Sequence, residues 1–81
     1  MSVEELKEKL LDDGYEDVIL FDDFADAFLG ITYDNRAVYS FAKMVDCLVK
    51  QGDTEEDATE YIEFNCCNVL GEGMPIVMIE V

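Results

Sequence analysis

Eighty-one residues with twenty acidic and five basic side chains, a formal charge of −15, make one small domain. That balance argues against direct binding of nucleic acid or of an anionic membrane, because both draw on Lys and Arg, and any partner is expected to be basic or a cation. The apolar fraction of 51% is enough for a core, so the charge implies self-repulsion in the compact state rather than disorder.

The chain opens with Ser2, Val3, Glu4 and Glu5, which is no signal peptide, and no apolar run is long enough to span a bilayer, so a cytoplasmic location is expected. Ser2 and Glu5 have capping-box spacing, and Val3, Leu6 and Leu10 share a helical face. A first helix is predicted over 3–13, closed by Gly14. Val18-Ile19-Leu20-Phe21 is a short apolar run between Glu16-Asp17 and Asp22-Asp23, which predicts a central strand buried on both faces. A second strand is predicted over about 27–33, with Ala27, Leu29, Ile31 and Tyr33 facing the helices and Gly30 suggesting a bulge. Asp34-Asn35 then makes a hairpin turn into a third strand, Arg36-Ala37-Val38-Tyr39.

Ser40 is positioned to cap a second helix, 41–51, on which Phe41, Met44, Val45, Leu48 and Val49 keep the amphipathic period and Lys43, Asp46 and Lys50 face out. After Gly52, Asp53 or Thr54 opens a third helix over about 54–70, with acids packed into its first turn. Its predicted inner face is Ala58, Tyr61, Ile62, Asn65, Cys66 and Val69, and its outer stripe is Glu56, Glu60 and Glu63. Gly71 and Gly73 mark the exit, and Pro75 begins a last strand, 76–81. The order αβββααβ implies a single α+β domain over 1–81. Its expected architecture is two layers, a three-to-four-stranded, mostly antiparallel sheet covered on one face by three helices.

Several chemistries are removed by residue type. With no histidine there is no Ser-His-Asp or Cys-His catalysis, no His-ligated zinc and no usual general base. Cys47, Cys66 and Cys67 lack the CxxC spacing of a zinc site and read as reduced thiols used as small hydrophobes. Adjacent Cys66 and Cys67 point about 100° apart on a helix, which sends one to the core and the other toward the surface. Gly71-Glu72-Gly73 is too short for a phosphate loop and leads to Pro75, not a helix. Asp22-Asp23-Phe24-Ala25-Asp26 lacks the alternating oxygens and the glycine of a calcium loop. No enzyme activity, metal or cofactor is expected. Asn65 reads as a buried amide hydrogen-bonded to the loop near Gly71 or to a strand end, with a contact role at the sheet edge as the alternative. Tyr15, Tyr33, Tyr39 and Tyr61 read as core-boundary residues.

The acids are distributed unevenly. Asp12, Asp13, Glu16, Asp17, Asp22, Asp23, Asp26 and Asp34 lie between Lys9 and Arg36 with no base among them. Asp53, Glu55, Glu56, Asp57, Glu60, Glu63, Glu72 and Glu80 follow Lys50, again with none. Carboxylates at helical spacing stand about 5–6 Å apart in a row. Duplex DNA carries a phosphate per roughly 3.4 Å of axis on each strand, so such a row can occupy a groove of Lys and Arg meant for nucleic acid. The candidate partner-binding residues are therefore Asp53, Glu56, Asp57, Glu60 and Glu63, with Asp22, Asp23 and Asp26. Two other readings stand beside this one: a solvated acidic surface with no partner, and a homodimer formed by pairing of exposed strand edges in the 76–81 segment.

From Tyr33 onward, the set Val38-Tyr39, Lys43-Met44-Val45, Glu55-Glu56-Asp57-Ala58-Thr59-Glu60-Tyr61-Ile62-Glu63-Phe64-Asn65 and Pro75-Ile76-Val77-Met78 resembles a family of small acidic proteins of unknown function found in bacterial genomes and their phages or prophages. Gly14-Tyr15-Glu16-Asp17 fits more loosely. Members carry a basic residue and a proline after the Asn65 position, where this chain has Cys66-Cys67-Asn68-Val69-Leu70-Gly71. The resemblance implies a mobile-element origin in a bacterial cytoplasm; it does not imply an activity. Together with the acid rows it suggests a DNA-mimic-like inhibitor, of anti-restriction or anti-CRISPR type, acting on a nucleic-acid-binding protein.

Overall fold

The computed structural model describes residues 2–67, 71 and 73–81. Helix α1 (Val3–Asp12) begins where Ser2 accepts the Glu5 N–H at 3.2 Å, and it buries Leu6 and Leu10. It stops at Gly14, whose φ of 92° any side chain would strain. A single 3-10 turn (Ala25–Ala27) leads directly into β1 (Phe28–Ile31). The hairpin then reverses at Asn35 (φ 64°) into β2 (Ala37–Ser40). In that turn Thr32 binds the Asp34 carboxylate through its hydroxyl and accepts the Arg36 N–H, and the first of these bonds holds the Asp34 carboxyl below its ordinary pKa. Helix α2 (Phe41–Lys50) follows β2 without a linker, because Ser40 is both the last strand residue and the helix cap, accepting the Lys43 N–H at 3.3 Å. Helix α3 (Glu55–Asn65) and β3 (Ile76–Met78) complete the described elements.

The result is an α+β domain, with helices packed on a three-stranded sheet ordered β1-β2-β3. The β1–β2 pair is an antiparallel hairpin, and β2–β3 is parallel because the α2–α3 excursion between them returns the chain in the same direction. The sheet is therefore mixed. Across it, Phe28 is opposite Tyr39, Ile31 is opposite Ala37, and Val77 is opposite Tyr39, all on the face that carries the core.

Tyr39 is the centre of that core, with none of its surface exposed. Its ring meets Phe21 at 5.0 Å and Phe28 edge-on at 5.8 Å, and Phe24 stacks edge-on against Phe21 at 6.2 Å. Met44, Val45 and Leu48 of α2 and Ala58, Ile62 and Cys66 at α3 belong to the same cluster. Leu6, Leu10 and Ala25 form a second cluster beneath α1, joined to the first through Val18, Leu20, Phe28 and Ile31.

Four local expectations are corrected. The 18–21 run is not a strand: its Phe21 N–H is donated to the Tyr39 hydroxyl at 3.1 Å, not to a ladder partner. Val18, Leu20 and Phe21 are half-buried and Ile19 is exposed, so the run is a strap over the edge of the core. In β1 the register slips between Phe28 and Gly30, making Leu29 an extra residue. The slip reverses the expected facing ahead of it, so Phe28 packs on the core and Leu29 is exposed, while Ala27 and Ile31 face the core as expected; Tyr33, beyond the end of the strand, is exposed. Helix α3 ends at Asn65, where the Ile62 carbonyl accepts the N–H groups of both Cys66 and Cys67 at 2.8 and 2.9 Å and closes the last turn. The predicted continuation through Val69 to 70 lies outside the described residues. The final strand is shorter than 76–81, ending at Met78 with Ile79 and Val81 exposed. Among the described residues no helix is long and apolar enough to cross a membrane.

Candidate functional site

Helix α3 presents the first group of candidate residues. Its start is set by Thr54, which accepts the Asp57 N–H at 3.2 Å, and its orientation is set by Ala58 and Ile62, both wholly buried. With that side locked into the core, Glu56, Asp57, Glu60 and Glu63 are all exposed, and Glu56, Glu60 and Glu63 run along one outer stripe as helical spacing requires. Asp53 is exposed just ahead of the cap, its backbone N–H donated to the Leu48 carbonyl at 3.1 Å. Glu55, Glu56 and Asp57 occupy the first turn, where the helix dipole is positive and favours them. The last turn carries no base, so the negative end of the dipole is uncompensated from within the helix.

The second group is placed differently. Asp22 and Asp23 lie in a turn and Asp26 in the 3-10 turn, all exposed. Asp23 and Asp26 line a cleft of about 460 Å³ with Asp46, Cys47, Lys43 and Lys50 of α2, so two of the chain's five basic residues stand beside them. Asp26 also borders a cleft of about 580 Å³ between α1 and β1, floored by Leu6, Leu10, Phe28 and Ile31. Neither of these two clefts is lined by an acid of α3. The α3 row is the purer negative surface; the 22–26 acids share their surroundings with lysines.

Sequence reasoning missed two residues beside the α3 row. Phe64 is 83% exposed, and Tyr61, expected on the inner face, is 49% exposed. Phe64 lies one turn beyond Glu60 (i, i+4), a spacing that was legible once the inner face was centred correctly. The buried-amide reading of Asn65 is corrected: it is exposed, and its amide donates to the Tyr61 carbonyl of its own helix at 3.0 Å. Of the tyrosines, Tyr39 is buried and Tyr33 is fully exposed.

Burial pushes the Cys47, Cys66 and Cys67 thiols up, and nearby carboxylates reinforce this at Cys47 and Cys67, which suppresses the thiolate at neutral pH. Cys66 is buried and Cys67 exposed, the division their adjacency predicts. Among the described residues no group of three acidic or cysteine side chains is arranged to hold a metal ion. Comparison with protein-family models, with curated proteins and with solved structures finds no match for this chain.

Proposed function

We propose that the protein is a small interaction module whose α3 acids dock on a basic, nucleic-acid-binding protein, acting as a DNA-mimic-like inhibitor of anti-restriction or anti-CRISPR type in a bacterial cytoplasm. The observation that carries this reading is the exposed Glu56–Glu60–Glu63 stripe on a helix whose opposite side is fixed by Ala58 and Ile62, in a chain with no base after Lys50. A carboxylate row held by a packed helix keeps its spacing, whereas acids on a loop would have to be ordered on binding. Exposed charges are individually weak, worth about 0–1 kcal/mol per pair. Their collective field accelerates encounter with a basic groove and makes the complex salt-sensitive.

The test is affinity capture from a bacterial lysate with tagged protein, in parallel with the E56Q/E60Q/E63Q variant, eluted by a salt gradient and identified by mass spectrometry. The reading expects a nucleic-acid-binding protein that elutes at moderate salt and is absent from the variant lane. Equal recovery on both baits, or recovery of the bait alone, removes α3 from the interface.

One observation favours a second reading, self-association through β3. That strand is an edge of the sheet, and its last residue Met78 and the following Ile79 are exposed. Light scattering at micromolar concentration decides it: a dimer supports strand pairing, and a monomer removes it.

A further inference from the structure

The outer side of α3 is not simply acidic. Phe64 and Tyr61 are large rings left in water on a helix whose core contacts are already made by Ala58, Ile62 and Cys66, so folding does not explain their exposure. They are neighbours at i, i+3, and Glu60 stands one turn before Phe64, about 6 Å along the axis. Glu63 adjoins Phe64 in sequence, and the negative end of the helix dipole falls at the same turn with no base to offset it. Ring faces, two carboxylates and a negative helix end thus converge on one patch. Charge also decides the occupant. A second copy at −15, a phosphate backbone or an anionic membrane would be repelled by the acids that flank the rings. A cationic peptide segment is attracted by every component.

We infer that the Phe64 end of α3 is an arginine-binding patch, taking the guanidinium of an Arg-rich protein segment over the Phe64 ring with its N–H groups directed at Glu60 and Glu63. A guanidinium fits better than an ammonium because it is planar, weakly hydrated and forked: it stacks on a ring face while donating sideways to carboxylates. The inference rests on the reading that α3 docks on a basic protein and narrows that partner to one presenting arginine, with Tyr61 closing the side of the patch.

Fluorescence anisotropy with labelled octa-arginine and octa-lysine, at one ionic strength, tests it on the intact protein. Both peptides carry the same charge, so their affinity ratio reports what the ring adds. The ratio is expected to fall by about two- to five-fold in F64A, the range of an exposed cation–π contact, and to be restored in F64Y, which keeps a ring. The exposed position makes misfolding of either variant an unconvincing source of the effect, and circular dichroism checks it. An arginine-to-lysine ratio unchanged in F64A overturns the inference. If E56Q/E60Q/E63Q weakens both peptides while F64A leaves the ratio alone, the docking reading stands and only the arginine patch is lost. If the triple variant binds both peptides as wild type does, the docking reading itself fails.

Discussion

Replacing Tyr39 by Phe removes one oxygen from the middle of the core and leaves the ring in place. That oxygen accepts the Phe21 N–H at 3.1 Å and is the one described hydrogen bond between the 18–21 strap and the sheet. A net hydrogen bond contributes about 0.5–1.5 kcal/mol, and orphaning a buried donor costs about 1–3 kcal/mol. Phe21 is half-buried, so water recovers part of the lost bond. The expected loss is accordingly near the lower end, about 1–1.5 kcal/mol. In a domain this small each kcal/mol lowers Tm by about 4–8 °C, so Y39F should melt roughly 5–10 °C below wild type. Urea denaturation gives the free energy and amide hydrogen exchange gives its location. The Phe21 amide should lose protection while the amides of α2 and α3 fall only with global stability. A loss under about 0.3 kcal/mol with Phe21 protection intact would refute the reasoning and leave the strap held by apolar contact alone.

Four further outcomes follow from the same structure. Ser40→Ala should cost about 1 kcal/mol in urea denaturation, because it removes a cap that is itself wholly buried; a change within error would mean the α2 amides find another acceptor. Cys67 should be the first thiol alkylated in the native protein and Cys66 the last, read by mass spectrometry after partial labelling; simultaneous labelling would contradict their placement. Burial raises the folded-state pKa of both Cys66 and Tyr39, so the folded protein holds these protons more tightly than the unfolded chain. Each contribution is therefore complete below that group's ordinary pKa and is lost as pH rises from there through its raised folded-state value, the thiol first and the phenol at higher pH, so urea midpoints should fall on the alkaline side. Raising salt from about 0.01 to about 0.1 M shortens the Debye length from about 30 to about 10 Å, so screening of the self-repulsion should raise Tm; a decrease would show that attractive pairs dominate.

What was legible in the sequence were signals that act locally. Ser2, Ser40 and Thr54 cap their helices as their spacing suggested, since a cap needs only the next turn of its own chain. The Asn35 turn and the division of Cys66 from Cys67 are local in the same sense. The strap at 18–21 was not legible, because four apolar residues have no period that separates a strand from an irregular segment, and what decides is a tyrosine hydroxyl eighteen positions away. The bulge at Leu29 was hinted at by Gly30, but its effect on facing depends on the register with β2. On α3, extending the helix to Val69 pulled the inner face toward Tyr61 and Asn65. Ending it at Asn65 centres that face on Ala58 and Ile62 and turns Tyr61 and Phe64 outward. The acid stripe was therefore readable and its aromatic border was not.

The most direct test of the docking account is a competition assay on the nucleic-acid-binding protein recovered by α3. Labelled duplex DNA is bound to that protein, and this chain is titrated in. Displacement should be stoichiometric with wild type, weaken steeply with salt and disappear with E56Q/E60Q/E63Q. DNA that stays bound in the presence of excess wild type, or that is released equally by the triple variant, would contradict the claim that these carboxylates occupy the site of phosphates.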